Sequence, residues 1–415
     1  MIINNLPSRK LEQYRDIVGN EEIDKIKMLA EELKGMSITH VNSTAFGGGV
    51  AEILYSLVPL MNNIGVKTIW EVIEAPLEFF NVTKKIHNSL QGADIDLSKD
   101  EIELYLKVNE DNALNKLKLE TTHVIVHDPQ PLGIRKFLGN DRKWIWRCHI
   151  DLSKPHQSTW NFISRLLRGY HASIYHLKEY IHPEAPTEIK YIMPPSIDPL
   201  SDKNRRLSWG EIERVLNKFG IDPEKPIIIQ VARFDPWKDP IGAIDTYRIV
   251  KRRIPNVQLL LVASMAHDDP EGWIYFEKTV RHAGEDPNIY FLTNLIGVGA
   301  MEVNAFQRAS TVALQLSIRE GFGLAVTEAM WKKKPVVARP SGGIKLQVID
   351  GVNGYLVRNI EDAAEKVIHL IKNRDLREEM GERAYRHVLE NFIIIRHLEK
   401  YLNLFKIISG ETVMF

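Results

Sequence analysis

Short apolar runs, each closed by a polar or glycine-bearing loop and followed by a stretch with helical spacing, recur twice along this chain. In the first half they read M-S-I-T-H-V-N-S from 36, V-K-T-I-W-E-V-I from 66, T-H-V-I-V-H at 122–127, K-W-I-W-R-C-H-I at 143–150, A-S-I-Y-H at 172–176 and K-Y-I-M at 190–193. Helical spacing marks 10–35, where Ile23, Ile26 and Leu33 fall on one face, and 50–63. Strands that are apolar on both faces need cover on both, so the alternation predicts a parallel sheet between helix layers. P-P-S-I-D-P-L-S-D-K-N (194–204) is rich in Pro, Asp and Ser and reads as a linker. The rhythm then restarts with P-I-I-I-Q-V-A, Q-L-L-L-V-A-S, I-Y-F-L-T, V-A-L-Q-L and P-V-V-A-R, with a helix from Ile241 to about Arg253 after the first, and the tail from Glu361 is mostly helical. The expected fold class is α/β, with two doubly wound domains in tandem. In such sheets ligands bind where the carboxyl ends of strands lead into helices.

Composition narrows the partners. Lys+Arg and Asp+Glu are 54 each in 415 residues. That balance speaks against a nucleic-acid partner while leaving room for a local basic cleft. Cys148 is the sole cysteine, so no disulfide framework or thiolate metal cage is expected, and a reducing cytoplasm is the expected compartment. The opening M-I-I-N-N-L-P-S-R-K lacks a basic n-region followed by an apolar run, so no signal peptide is expected. The apolar runs are too short to cross a bilayer, so no membrane partner is expected.

Five loops carry residue types suited to chemistry. T-A-F-G-G-G-V-A-E (44–52) opens a helix, where bare amides and the helix N-terminus could take an anion. It matches neither a Walker loop nor G-x-G-x-x-G, and a flexible turn remains open. V-A-R-F-D-P-W-K-D-P places Arg233 and Lys238 after a strand, where two cations could clamp a diphosphate or simply pair with Asp235 and Asp239. S-I-R-E-G-F-G-L-A-V-T-E-A-M places Glu320 before a glycine-flanked turn and Glu328 inside the helix that starts near Gly323. Glu320 could accept sugar hydroxyls and Glu328 a second diol; a hydrolytic pair, or Glu328 offsetting Lys332, are the alternatives. H-D-P-Q and R-C-H-I-D-L-S put His127, Asp128 and His149 at strand ends, with Asp151 close to His149 in sequence. A metal reading of His123, His127 and His156 stays open but has no supporting motif. R-P-S-G-G-I (339–344) repeats the anion-friendly strand–glycine–helix turn.

Taken in order, the Gly-rich loop, H-D, H, R…K, E-G-F-G-L-x-x-x-E-A-M, P-V-V-A…G-G and D-G-x-N-G-x-L-V resemble retaining nucleotide-sugar glycosyltransferases of family 4. The resemblance covers nearly the whole chain. N-S-T-A-F-G-G-G-V-A-E-I-L and W-E-V-I-E-A-P-L-E-F-F-N-V-T-K-K-I-H-N-S-L-Q-G narrow it to the trehalose synthase group, with trehalose phosphorylases as near relatives. It implies the GT-B architecture, two Rossmann-like domains facing a central cleft and closing over substrate. The implied bounds are 1–197 for an acceptor domain and 198–391 for a nucleotide-sugar domain, with 392–415 packing back on the first. The implied reaction joins NDP-glucose (UDP-, ADP- or GDP-glucose) and free glucose into α,α-trehalose, reversibly and with retention. Glu320 would bond the donor glucose, with Gly321, Phe322, Gly323 and Leu324 near sugar and phosphate, and Glu328 would hold the ribose. Arg233 and Lys238 would neutralise the leaving diphosphate, helped by Gly48 and Gly49. His149 would touch the transferred glucose, Asp128 and Glu74 the acceptor, and Val298 the base. D-P-Q-P-L-G after the H-D pair departs from the longer pattern of many relatives. No obligatory cofactor is implied; Mg²⁺ could accompany the diphosphate, and a homodimer is the working expectation.

Overall fold

The computed structural model describes the chain except residues 47, 140, 266–269 and 411–415. Gly47 of the first glycine loop and the last five residues of the tail therefore lie outside the described residues. The chain divides into two compact units, Met1–Ser196 with Ile394–Phe415, and Ile197–Ile393.

The first unit holds β1 (Ser37–Asn42), β2 (Lys67–Val72), β3 (His123–His127), β4 (Lys143–Arg147), β5 (Ala172–Tyr175) and β6 (Ile189–Ile192). They form one sheet in the order β2-β1-β3-β4-β5-β6 with every pair parallel. Side-chain alternation sorts the residues by face. Val41, Val124, Val126, Trp144 and Trp146 join a core with Phe79, Ile86 and Trp160. His40, His127 and Arg147 consequently point to the opposite face, and all three are buried. That face is covered in part by the terminal helix Ile394–Ile408, whose buried Ile394, His397, Leu398, Tyr401 and Phe405 recur at helical spacing. The helix is tied down by ion pairs of Arg396 with Glu22, Lys25 with Glu399 and Lys406 with Glu32.

The second unit holds β7 (Ile227–Val231), β8 (Gln258–Ala263), β9 (Ile289–Thr293), β10 (Val312–Gln315), β11 (Val336–Ala338) and β12 (Gly354–Leu356). Their order, β12-β11-β10-β7-β8-β9, is all parallel. Counted within this unit it runs 3-2-1-4-5-6 from the β9 edge, the Rossmann order. Both units are thus Rossmann-like α/β layers.

Two local expectations change. Strand β4 stops at Arg147, because the Cys148 amide makes one more bond, to Ile174 O at 2.9 Å, and the His149 amide then turns to Asp128 Oδ1. The helix after the first glycine loop starts at Gly48, not Val50. Segment 194–204 contains the division between the two units and no helix or strand, in keeping with the linker reading, although Ser196, Ile197, Asp198 and Asn204 are buried. The Asn204 carbonyl accepts bonds from Trp331 Nε1 and Arg308 Nη2, which pins this loop down.

Candidate active site

In the second unit β7 and β10 are neighbours whose connections leave in opposite directions, which opens a crevice beyond their carboxyl ends. The loop after β7 carries Arg233 and Lys238, and the loop after β10 carries Glu320. Lys238 Nζ donates to Glu320 Oε2 at 2.7 Å, and Ser317 Oγ donates to the same oxygen at 3.1 Å. Gln315 Nε2 in turn donates to Ser317 Oγ at 2.9 Å. The Lys238 and Glu320 side chains are 17% and 10% exposed, so the pair is largely shielded from water. The Lys238 backbone is fixed from both sides: Asp235 Oδ1 accepts its amide at 3.0 Å and Gln230 Nε2 donates to its carbonyl at 2.9 Å. Asp239 holds φ 48°, caps the helix Pro240–Lys251 by accepting the Gly242 amide, and meets Arg339 at 2.6 Å. Lys238 is therefore not paired with Asp239, as the simple surface-pair reading required. Arg233 is 70% exposed and meets Asp235 Oδ2 at 3.5 Å, leaving its guanidinium at the rim.

Gly323 takes φ 85° as the residue before the helix Leu324–Trp331, a left-handed conformation that a side chain would strain. Phe322 is buried and stacks edge-on with Phe392, while Gln347 Nε2 donates to its carbonyl at 2.6 Å. These anchors hold the run Gly321, Phe322, Gly323 and Leu324 at the crevice. Glu328 is buried one turn further on and faces Lys203 Nζ at 3.4 Å. Lys332 bonds the Glu328 carbonyl at 3.1 Å and Asn204 Oδ1 at 3.0 Å, and the Glu328 charge acts on it as well, so the alternative in which Glu328 offsets Lys332 stands beside the ligand reading. Burial pulls the Lys332 ammonium below the usual lysine range, and the Glu328 charge pulls it back up. Val298 follows β9 and is buried; its amide is bound to Thr293 O at 3.2 Å, so its carbonyl and side chain are what it could offer a base.

The loop 339–344 departs from expectation. Its helix, Ile344–Gln347, is one turn long, too short for an appreciable dipole. A Cβ on Gly343 would come within 2.5 Å of Phe322 Cδ2 and 2.7 Å of its Cα. This glycine permits close packing under the Glu320 loop. A cavity of about 430 Å³, lined by Asp239, Ser317, Ile318, Arg339, Ser341 and Arg358, opens beside it, within the size range of ligand pockets.

The first unit has its own switch point between β1 and β3. Beyond β1, Gly48 holds φ 78° and Gly49 follows at the start of the helix Gly48–Asn63; nothing lies within 4 Å of a Cβ built on Gly48. Beyond β3, Asp128 holds φ 63°, a conformation Asp tolerates better than most residues. Its amide binds Arg147 O, its carbonyl accepts Trp146 Nε1 and its Oδ1 accepts the His149 amide at 2.8 Å. Burial pushes the Asp128 carboxyl up to about 7, the His149 and Arg147 interactions working against it. Asp151, the sequence neighbour expected beside His149, instead accepts the Ser153 amide. His149 lies in a row of rings: His40 Nδ1 to His127 Nε2 at 2.9 Å, His127 Nδ1 to His149 Nε2 at 3.0 Å, and His149 Nδ1 to His176 Nε2 at 3.2 Å. Arg147, fully buried beside the row, donates to Met193 Sδ and O and lies over the Tyr401 ring.

His123, His127 and His156 do not converge. His123 meets Thr122 Oγ1 and the Phe405 ring, and His156 faces Asp94 and Asp96. Among the described residues no group of three or more His, Cys, Asp and Glu is placed to hold a metal ion. Glu74 follows the edge strand β2, with its side chain exposed and 3.9 Å from both the N-terminal amine and Lys116. Its backbone is tied to Asn112. Nothing in these contacts joins it to Asp128. Ser317 and Arg339 fall in loops the sequence singled out but had no role assigned there, and His40 and His176 in the row, with Arg147 beside it, were missed. Position was the available signal, since each stands within or just past the carboxyl end of a strand.

Two family models match the chain: "Glycosyl transferases group 1" over residues 211–387 and "Trehalose synthase, N-terminal domain" over 40–182. A structure described as sucrose-phosphate synthase from Thermosynechococcus elongatus superposes with a TM-score of 0.70 at 14% identity, covering 90% of this chain and 99% of that one, a likeness of fold. Two parallel Rossmann-like sheets, a cation–carboxylate pair at a switch point and the group 1 match together define a glycosyltransferase. The trehalose synthase of Pyrococcus horikoshii is 56% identical over 403 residues, 97% of each chain. A trehalose phosphorylase of Pleurotus pulmonarius is 27% identical, over 97% of this chain and 62% of its own. The chain belongs to the trehalose synthase family. Among the described residues no helix is long and apolar enough to cross a membrane.

Proposed function

We propose that the protein transfers glucose from a nucleoside diphosphate glucose (UDP-, ADP- or GDP-glucose) to free glucose, forming α,α-trehalose reversibly and with retention at the anomeric carbon. The observation that carries this reading is the 2.7 Å Lys238–Glu320 pair at the β7/β10 switch point, beside the amides of 321–324. The trehalose synthase relatives support the choice of sugars. Glu320, oriented by Lys238 and Ser317, accepts the donor glucose hydroxyls. Glu328 takes the ribose diol, displacing Lys203, and Val298 meets the base. As the C1–oxygen bond to the diphosphate breaks, Arg233 and Lys238 stabilise the charge gathering on the leaving oxygen. The acceptor hydroxyl attacks C1 from the same face and its proton passes to that leaving oxygen. Gly48 and Gly49 offer bare backbone to an anion, His149 meets the transferred glucose, and Asp128 meets the acceptor. Glu74, exposed at the end of β2, meets the acceptor from the flank of that site.

The reading needs no metal held by protein side chains. Mg²⁺ enters it as a companion of the diphosphate, tested by activity in EDTA. The match to a phosphorylase along the length of this chain favours phosphate as an alternative leaving group. Incubation with UDP-, ADP- and GDP-glucose plus glucose, with products resolved by NMR, is the test. α,α-Trehalose from a nucleotide sugar is the expected result; trehalose consumption that requires phosphate and ignores nucleoside diphosphate would overturn it.

A further inference from the structure

The first unit carries a second hollow, walled by its own helices on the other side of the sheet from the histidine row. A cavity of about 520 Å³ lies between the helix Lys99–Asp111, the 3₁₀ turn Leu132–Phe137 and the helix Gln157–Leu167, within the size range of ligand pockets. Ile102 and Leu106 of the first helix and Phe162 and Leu166 of the last give it an apolar floor. Phe162 and Leu166 belong to the core on the Val124 and Trp144 face of the sheet, whereas His127 and Arg147 point to the opposite face. An occupant of this cavity is therefore not a substrate at the site described above.

Arg135, Lys136, Arg165 and Arg168 complete the lining, and no carboxylate is part of it. Arg165 Nε donates to Asn161 O at 3.0 Å, Arg135 Nη1 donates to Leu138 O at 2.9 Å, and the Arg135 guanidinium lies 5.6 Å from the centre of the Trp144 ring. Carbonyls and rings aim a guanidinium but carry no net charge to cancel it. Among the described residues Lys136, Arg165 and Arg168 form no ion pair. The carboxyl end of the helix Gln157–Leu167 favours cations close by, which accounts for Arg165 and Arg168. It does not account for Arg135 and Lys136, which come from a separate turn. Like charges gathered round one hollow with apolar walls repel one another and focus a positive potential into it.

We infer that this cavity is a binding site for an amphipathic organic anion: a carboxylate, sulfonate or phosphate joined to an aryl or short acyl body. A small hydrated anion would leave the apolar floor unfilled. A neutral apolar molecule would leave the cations without a counter-charge. A ligand with both parts satisfies the whole lining, its anionic group among the exposed cations and its body against Ile102, Leu106, Phe162 and Leu166.

Titration of the intact protein with the fluorescent aryl anion anilinonaphthalene sulfonate tests this, with UDP at saturation to fill the donor site. One saturable site per chain is expected. Decanoate and phenyl phosphate should compete for it, and the stronger competitor tells an acyl source from an aryl one. Decanol and inorganic phosphate at the same concentrations should not compete. Arg165 and Arg168 are exposed, so Arg165→Glu/Arg168→Glu should fold, and its dissociation constant for the probe should rise about tenfold or more as charge-assisted contacts are lost. Lys136→Glu, on the separate turn, should weaken binding in the same direction, and it decides if the double variant does not fold. The inference is overturned by the absence of a saturable site or by unchanged affinity in the folded charge-reversed variants. Competition by decanol as strong as by decanoate, or by inorganic phosphate as strong as by phenyl phosphate, overturns it as well.

Discussion

At the scale of single residues, exposure separates chemistry from stability. Arg233 is 70% exposed with a 3.5 Å partner, so its removal should leave the fold intact. For Arg233→Ala we expect kcat to fall about 100- to 1000-fold, as for the loss of a preorganised charge-stabilising donor, with Tm within a degree or two of wild type. Calorimetry beside steady-state kinetics checks both. Glu320 shares one oxygen between Lys238 and Ser317, and Glu320→Gln removes the negative charge while keeping the shape. That variant should weaken nucleotide-sugar binding and turnover together, and isothermal titration with the nucleotide sugar would show it; unchanged affinity would speak against Glu320 as a donor ligand.

At the scale of elements, glycines and strand ends carry the site. Gly343 has no room for a methyl group against Phe322. Gly343→Ala should therefore push the Glu320 loop outward, lowering stability by about 1–3 kcal/mol, the usual range for overpacking, and raising KM for the nucleotide sugar. Urea unfolding and kinetics on the same preparation check this. The same scale shows what could be read in advance. Both parallel sheets were legible, because runs such as I-I-I-Q-V and Q-L-L-L-V-A are buried on both faces. Lys238 and Glu320 were legible as loop residues after strands, but not as partners, because sequence does not reveal that β7 and β10 lie side by side. The histidine row stayed hidden for the same reason, its four members coming from strands up to 136 positions apart in sequence. Segment 194–204 was legible as the loop between the units but its burial was not, because Pro, Asp and Ser signal turns whether or not neighbouring side chains bury them.

At the scale of the whole molecule, buried histidines tie stability to pH. Burial holds His40 at about 3 and His123 at about 4, and keeps His127, His149, His176 and His397 well below the usual range. Unfolded, each takes up a proton near about 6.5. Below that pH the unfolded chain binds protons that the folded one refuses, so this contribution is present above about 6.5 and is lost as pH falls. Asp128, raised to about 7, and Glu71, also raised by burial, work in the opposite sense but are two carboxyls against six imidazoles. The urea midpoint should therefore drop from pH 7.5 to pH 5, with a shallower drop in His123→Gln. A midpoint that rises on acidification would contradict the burial of these rings.

The first unit is discontinuous, with Met1–Ser196 completed by Ile394–Phe415. The ring that Arg147 lies over, Tyr401, comes from that last segment. During synthesis the intervening 197 residues, Ile197–Ile393, leave the ribosome before the first unit has all its parts. The portion made first is thus finished last, and must wait with one sheet face incompletely covered until the final helix emerges. A chain stalled before residue 394 should hold a mature second unit and an immature first one, open to proteases and chaperones.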